Sequence, residues 1–388
     1  MKRAIVRPSV LVMLLIMVVL SPGCLEVFNT NSAPTATFSV QESGTLKAGM
    51  LLHFDATGST DAEGDSLTYS WNFGDTNTET GLTTSHTYNS AGDYTVVLSV
   101  SDGEFETKKE QELKIFAEDA AEPTASITTW KDDDCDDEPP SASGTYILVW
   151  ICDDAMDESE RDWDPSTTVS LDATGSGAGS AESWIVSWKW DLNINIDEDG
   201  DGDKTNDVDA SGETHEWEVP PGEWKIQLTV TDDQGMTTSE DTWVYVNARA
   251  KWSDIGEIGR NNSADNPREE FTAPLTYDFE NSHKLNQFKA RLVYPKKDPG
   301  AGFPAPEQDN RMDLYFFNQT DEEVRNSSAN SDEQQTDSDC SEDNYCLTMT
   351  SSTGDFRTYL DGQWTVQVFN TKQHNAEILE LQIILKYK

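Results

Sequence analysis

Gly92-Asp93-Tyr94-Thr95-Val96-Val97-Leu98-Ser99-Val100-Ser101-Asp102 is the stretch that decides the fold of this 388-residue chain. Tyr94, Val96, Leu98 and Val100 alternate with Thr95, Val97, Ser99 and Ser101. A period of two carried by β-branched and aromatic residues is a half-buried strand. The pattern returns 130 positions later (92 to 222) as Gly222-Glu223-Trp224-Lys225-Ile226-Gln227-Leu228-Thr229-Val230-Thr231-Asp232. There Trp224, Ile226, Leu228 and Val230 alternate with Lys225, Gln227, Thr229 and Thr231.

Working outward, more of the first copy recurs. Asp55-Ala56-Thr57-Gly58-Ser59 is repeated 117 positions later (55 to 172) as Asp172-Ala173-Thr174-Gly175-Ser176. At the same offset Trp71-Asn72-Phe73 aligns with Trp188-Lys189-Trp190, and Pro34-Thr35-Ala36 matches Pro123-Thr124-Ala125 89 positions on (34 to 123). The second copy thus gains 28 residues before its DATGS (117 less 89) and 13 after its Trp pair (130 less 117). Motifs kept in order, with length changes confined to the gaps, indicate duplicated domains. Turn residues such as Asn89-Ser90-Ala91-Gly92 and Pro220-Pro221-Gly222 separate the strands. Roughly 85 residues of short strands without helical periodicity is the size of an immunoglobulin-like sandwich.

Four motifs carry a family resemblance: Phe54-Asp55-Ala56-Thr57-Gly58-Ser59, Tyr69-Ser70-Trp71-Asn72-Phe73-Gly74-Asp75, His86-Thr87-Tyr88 and Gly92-Asp93-Tyr94-Thr95-Val96. The first copy, 33–117, resembles the polycystic kidney disease (PKD) domain family, with its WxFGD turn, HxY and GxYxVxLxVxD strand. The second copy, 122–247, resembles a divergent member, with Trp190-Asp191-Leu192 for the turn and His215-Glu216-Trp217 for HxY. The resemblance implies immunoglobulin-like sandwiches acting as spacers or interaction modules, without catalysis. It places Trp71, Trp188 and Trp190 in cores and makes His86 and His215 structural.

A third domain, 252–388, is expected after the short polar stretch Asn247-Ala248-Arg249-Ala250. Phe288, Ala290, Leu292 and Tyr294 alternate, as do Met312, Leu314 and Phe316, then Trp364, Val366 and Val368, and finally Leu379, Leu381, Ile383, Leu385 and Tyr387. The segments Met312-Asp313-Leu314-Tyr315-Phe316-Phe317 and Gly362-Gln363-Trp364-Thr365-Val366-Gln367-Val368 resemble the jelly-roll domains found C-terminal to secreted proteases, the prepeptidase and proprotein-convertase types. The expected class is therefore all-β: tandem immunoglobulin-like sandwiches followed by a jelly-roll-like sandwich. Three glycosylation sequons, at Asn261, Asn318 and Asn326, lie in this region. Asp321 to Asp343 reads as a long exposed acidic loop.

Composition bounds the partners. The chain has 27 Lys and Arg against 72 Asp and Glu, a formal charge of −45, yet also 12 Trp. That many indoles argues for ordered cores under an acidic surface, not disorder. Such a field repels nucleic acid and anionic headgroups and attracts divalent cations. Lys2, Arg3 and Arg7 precede the apolar run Val10 to Leu20. The run is too short to span a bilayer and suits a signal peptide, 1–23. Leu20-Ser21-Pro22-Gly23-Cys24 resembles the lipobox of bacterial and archaeal lipoproteins, which implies a lipid on Cys24, a tether over 24–32 and display on the outer face of the membrane. The alternative is ordinary secretion with an incidental cysteine. Cys135, Cys152, Cys340 and Cys346 remain, an even number suited to disulfides outside the cell. Their spacing favours Cys135–Cys152 and Cys340–Cys346, although four cysteines allow three connectivities.

Two calcium sites are expected. Asp197-Glu198-Asp199-Gly200-Asp201-Gly202-Asp203-Lys204-Thr205-Asn206-Asp207 sets carboxylates at alternate positions with glycines between, as an oxygen cage for Ca²⁺ requires. Asp197, Asp199, Asp201, Asp203 and Asp207 are the expected ligands, with Asp191, Asn193 and Asn195 as additions. Val208 stands where an EF-hand has its bidentate Glu. The alternative is a solvated acidic hairpin tip. The PKD resemblance implies a second set, Asn31, Asp61, Glu63 and Asp102, with Glu63 where the family carries Asp. The acidic run around Cys135 reads as a solvated loop. No GxSxG, HExxH or phosphate loop is present.

Three functions follow. The first is a surface lipoprotein whose PKD-like spacers present a C-terminal domain, with an aromatic set including Tyr315, Phe317, Tyr345 and Phe356, to a polysaccharide or surface protein. The second is an accessory component of secreted proteolysis or polymer degradation. The third is a carboxylate-pair hydrolase without a sequence signature.

Overall fold

The computed structural model describes residues 31–132, 134–135, 139–262, 265–276, 284–298, 308–327, 340–352 and 361–388. Cys24 and Phe356 lie outside the described residues. All named elements are strands, and no helix among the described residues is long and apolar enough to cross a membrane. The chain divides into two compact units, Met1–Glu118 and Asp119–Lys388.

The first unit holds β1 (Ser39–Val40), β2 (Leu51–Asp55), β3 (Thr68–Asn72), β4 (Thr78–Thr80), β5 (Thr83–Thr87), β6 (Gly92–Ser101) and β7 (Glu106–Ile115). One sheet runs β1-β2-β5 and the other β4-β3-β6-β7. Val96, Leu98 and Val100 of β6 are fully buried, as the alternation requires. Trp71 is 1% exposed, packs edge-on against Phe38 at 5.2 Å, and donates its Nε1–H to the Gly81 carbonyl at 2.9 Å. The WNFGD and HTY motifs make one cluster: His86 bonds Asp75 at 2.8 Å and stacks on Phe73 at 4.2 Å, and the Tyr88 hydroxyl donates to the Phe73 carbonyl at 2.8 Å. Gly74 is required there, because its φ is +80° and a Cβ would sit 2.7 Å from the Thr95 carbonyl oxygen.

The second unit holds β8 (Trp130–Lys131), β9 (Ser141–Ala142), β10 (Tyr146–Met156), β11 (Thr167–Asp172), β12 (Ile185–Asp191), β13 (Ala210–Ser211), β14 (Thr214–Val219), β15 (Gly222–Asp232) and β16 (Thr237–Ile258). It continues with β17 (Arg268–Leu275), β18 (Gln287–Pro295), β19 (Lys297–Asp298), β20 (Gln308–Asp309), β21 (Met312–Phe317), β22 (Glu323–Asn326), β23 (Asn344–Ser352), β24 (Gly362–Asn370) and β25 (Ala376–Lys386).

The duplication is present in three dimensions. The pairing β11·β14 repeats β2·β5, and β13-β12-β15-β16 repeats β4-β3-β6-β7. Trp71 stands opposite Leu98, and Trp190 stands opposite Leu228. Trp190 also donates its Nε1–H to the Gly212 carbonyl at 2.9 Å, as Trp71 does to Gly81. The counterpart of Trp71 is therefore Trp190, not Trp188, which is only half-buried. Likewise His86 faces Leu52 while Trp217 faces Val169, so Trp217 and not His215 takes the place of His86. Two extra residues precede β12, and a Trp at both 188 and 190 hides that slip from any comparison of sequence alone. The 28-residue insertion supplies β8, β9 and β10, and β10 adds to the sheet parallel to β16.

The structure corrects the expected boundary between 247 and 252. Strand β16 is 22 residues long and passes through it, pairing β15 from Thr237 to Val246, β10 from Trp243 to Trp252 and β25 from Ala248 to Ile258. Asn247, Ala248 and Ala250, read as linker, are 0% exposed. One hydrophobic core runs from Ala125 to Tyr387. In the C-terminal half β16, β25, β18 and β23 pair in one sheet and β17-β24-β21-β22 in another. The predicted alternations of β18, β21 and β24 are all buried. In β25 the inward set is Ile378, Leu381, Ile383 and Leu385; Leu379 falls out of phase beside a bulge on β16 between Ser253 and Gly256. Part of the expected acidic loop is strand β22.

Trp252 joins the two halves. It is 0% exposed, packs edge-on against Phe271 at 5.0 Å and donates to the Glu160 carbonyl at 2.7 Å. Trp252→Ala should destabilise the second unit by about 3–5 kcal/mol. In denaturant titrations both halves of 119–388 should unfold earlier in one transition, while the 31–117 transition stays put. Separate transitions for 119–250 and 252–388 would contradict a shared core.

Candidate functional site

The acidic insertion joins β12 to β13. Asp197 begins the turn: its Oδ1 accepts the Gly200 N–H at 2.7 Å and its Oδ2 the Gly202 N–H at 3.0 Å. Asp207 lies deepest, 8% exposed, and accepts the N–H groups of Glu198 at 2.9 Å and Asp199 at 3.3 Å. Carboxylate oxygens of Asp197, Asp199 and Asp207 come within 4.8 Å of one another. This is the spacing of hard oxygen ligands around a divalent cation. Asp201 and Asp203 fall outside that group. Asp201 accepts Asn206 Nδ2 at 2.8 Å and the Asp203 N–H at 2.7 Å, and Asp203 accepts the Thr205 hydroxyl at 2.8 Å. They shape the loop. Asn193 Oδ1 accepts the Asn195 N–H at 3.3 Å.

Asp191, the last residue of β12, is 4% exposed. Burial, with the negative charges of Asp209, Asp207 and Glu198, pushes its carboxyl up to about 6. Glu198 is raised too, chiefly by Asp209. Asp201 is lowered by its bond from Asn206.

The set expected in the first unit is drawn together by hydrogen bonds. Asn31 Nδ2 donates to Asp102 at 3.1 Å, and the Ser32 hydroxyl donates to Glu63 at 3.0 Å. Asp61 Oδ1 accepts the N–H groups of Glu63 and Asp65, each at 3.0 Å. Asn31 Oδ1 and Asp61 Oδ2 are buried without a hydrogen-bond partner. Backbone N–H groups of Phe105 and Glu104 hold the Asp102 carboxyl low.

Both expected disulfides are present, Cys135–Cys152 and Cys340–Cys346. Of the sequons, Asn318 is 2% exposed, and its Oδ1 accepts Thr320 N–H, Thr320 Oγ1 and Glu322 N–H while its Nδ2 donates to Glu322. That side chain organises a turn and offers no open amide for a glycan. Asn261 and Asn326 are half-exposed. Tyr315, Phe317 and Tyr345 are half-buried, with the first two stacked at 6.3 Å.

Sequence reasoning missed Trp184, which is 62% exposed. Asp233 accepts its backbone N–H at 3.2 Å, and Gln234 donates to Ser183 Oγ at 2.8 Å beside it. Val186 next to it is 51% exposed. Trp184 just precedes β12, so nothing in its periodicity separates it from the core tryptophans. A polar cavity of about 200 Å³, lined by Glu257, Glu377, Lys297, Asn310 and Asn375 among others, opens elsewhere in the same unit.

The family model of the PKD domain matches residues 31–117. Curated proteins that align with part of the chain include two collagenases. A microbial collagenase of Vibrio alginolyticus is 39% identical over 75 residues, 19% of this chain and 9% of that protein. Collagenase ColQ1 of Bacillus cereus (strain Q1) is 35% identical over 81 residues, 21% of this chain and 8% of that protein. The chain therefore spans less than a tenth of either collagenase. Among solved structures, the PKD1 domain of Vibrio anguillarum Epp is 26% identical, covering 22% of this chain and 98% of that one, with a TM-score of 0.20.

The Asp191 environment has a measurable consequence. Because its carboxyl is raised on folding, the folded state holds the proton more tightly than the unfolded chain does. Its contribution to stability is present at acidic pH and lost as pH rises through about 6. In chelator, Asp191→Asn should melt at a higher temperature than the parent near pH 8, with the gap closing toward pH 4. An equal gap at both pH values would contradict this.

Proposed function

We propose that the chain is a non-catalytic binding protein of the cell exterior, anchored by a lipid on Cys24, in which the PKD domain of 31–117 is a spacer and the unit 119–388 captures a neutral polysaccharide. The observation that carries this reading is Trp184. An indole exposed over more than half its surface is a large apolar face left in water. A flat aromatic ring stacks on the C–H face of a sugar, and Ser183, Asp233 and Gln234 beside it supply donors and acceptors for hydroxyls. The surplus of carboxylates disfavours an anionic polymer. The binding element is taken as the whole second unit, because 252–388 shares its core with 119–251.

Calcium belongs to the same reading. A divalent ion on Asp197, Asp199 and Asp207 offsets their mutual repulsion and fixes the insertion. A role as an accessory of secreted proteolysis is the second reading, favoured by the collagenase alignments.

The full-length protein tests the first reading by affinity electrophoresis through a panel of neutral polysaccharides. Trp184→Ala should weaken retention by about 3- to 10-fold, the value of one aromatic contact, without altering the melting temperature. Retention unchanged on every polymer that holds the parent, or no polymer holding the parent, would refute the assignment. Cys24→Ser should move the protein from the membrane fraction to the medium; a variant that stays membrane-bound after signal cleavage would remove the anchor.

Calcium should raise the melting temperature by mass action. Asp199→Asn should reduce that rise, and Asp201→Asn should leave most of it. Equal effects of the two substitutions would show that the ligands are not the converging group.

A further inference from the structure

Five carboxylates of the insertion, Asp191, Glu198, Asp201, Asp203 and Asp209, remain outside the Asp197, Asp199 and Asp207 group, and the most buried of them keeps an oxygen without a hydrogen-bond partner. Asp191 is 4% exposed. Its Oδ1 accepts the Asn193 N–H at 3.0 Å, but its Oδ2 is buried with no hydrogen-bond partner. The charges acting on it are those of Asp209, Asp207 and Glu198, all negative. Glu198 and Asp209 stand within hydrogen-bonding reach of one another. The single cation between 191 and 209, Lys204, donates its Nζ to the Asn195 carbonyl at 2.7 Å.

The backbone orients these groups without satisfying Asp191. The Leu192 N–H holds Asp209 at 2.6 Å, while Glu198 and Asp199 N–H groups hold the two oxygens of Asp207. None of those donors goes to Asp191 Oδ2. A buried anionic oxygen with neither donor nor cation is costly. With the three carboxylates whose charges act on it, it offers an oxygen-only set of the type hard divalent cations take. Asp207 can serve two ions, because each of its oxygens accepts one N–H and keeps a lone pair.

We propose that the insertion holds two calcium ions: an outer one on Asp197, Asp199 and Asp207, and an inner one on Asp191, Glu198 and Asp209, with Asp207 shared between them. The proposal rests on the calcium reading above and extends it to a site whose floor is the end of β12. Asp191 directly follows Trp190, which is 0% exposed and bonded to the Gly212 carbonyl. The inner ion therefore ties the insertion to the core, and the outer ion closes its tip.

Native mass spectrometry of the full chain with calcium counts the ions, and differences between variants cancel any bound in the first unit. Asp191→Asn should carry one ion fewer than the parent, as should Glu198→Gln combined with Asp209→Asn. Asp199→Asn should lose one and Asp207→Asn two. Melting curves in chelator identify a variant that fails to fold, and Asp191→Asn, which keeps the shape of the side chain, should melt no lower than the parent. A parental count kept in Asp191→Asn, or a single ion lost in Asp207→Asn, overturns the inner site while leaving the outer one standing. No ion lost in Asp207→Asn overturns both.

Discussion

The second unit depends on one long strand. Strand β16 serves three partners in turn and passes without a break from the sheet of the second repeat to that of the C-terminal sandwich. Where both faces are covered the strand has to be apolar, as at Val244 to Val246, and beyond them Ala248, Ala250 and Trp252 face inward while Arg249 and Lys251 alternate outward. Asn247 is a polar residue at 0% exposure in this stretch. Its Oδ1 accepts the backbone N–H groups of Tyr387 at 2.7 Å and Lys388 at 3.2 Å. A polar side chain in the middle of the strand thus completes the end of β25, and two sandwiches become one core.

That dual role explains what the sequence hid. Asn247-Ala248-Arg249-Ala250 is short, small and polar, which is the composition of a linker. Alanines at 248 and 250 are fully buried between β10 and β25, and Arg249 points outward to pair with Asp154. Period-two alternation was legible wherever a strand faces one core, as in β6, β15, β18, β21 and β24. It gave no sign that one strand passes between two sandwiches, and it failed at Leu379, where a bulge on the partner breaks the phase. The slip between Trp188 and Trp190 has the same origin, since identity of residue type says nothing about which face a side chain occupies. Of the candidate cation ligands, Asp197, Asp199 and Asp207 converge as their spacing implied. Asp201 and Asp203 do not, and each accepts a side-chain donor as well as the N–H two residues ahead, Asn206 Nδ2 for Asp201 and Thr205 Oγ1 for Asp203.

The two repeats solve the same corner differently. In the first, the turn after β3 is closed by the His86–Asp75 bond and the stack of His86 on Phe73. In the second, Leu192 stands at the corner and Trp217 replaces the histidine, packing edge-on against Trp224 at 5.7 Å. The acid that the first repeat pairs with histidine, Asp75, is replaced in the second by Ile194, 119 positions on (75 to 194) as Trp190 is from Trp71. Its role passes to a string of carboxylates held by backbone N–H groups, a scaffold that organises negative charge without neutralising it. Folding such a loop stores repulsion that a bound cation relieves, so its rigidity becomes conditional on the surroundings.

The scarce cations point the same way. Lys388 lies 4.7 Å from the ring centres of both Tyr146 and Tyr245, Lys386 lies 5.5 Å from Trp150, and Lys225 lies 6.0 Å from Trp243. Lys251 and Arg291 both pair with Glu380. Arg161 sits over Phe271 at 4.5 Å and pairs with Glu269. These positive groups are used to cover aromatic faces of the sheets and to match individual acids. With 27 cations against 72 acids, such internal use leaves the outer field negative. An anionic ligand would meet that repulsion. A neutral polymer reading an exposed indole, or a ligand bridged through a divalent ion, is the chemistry that this distribution of charge permits.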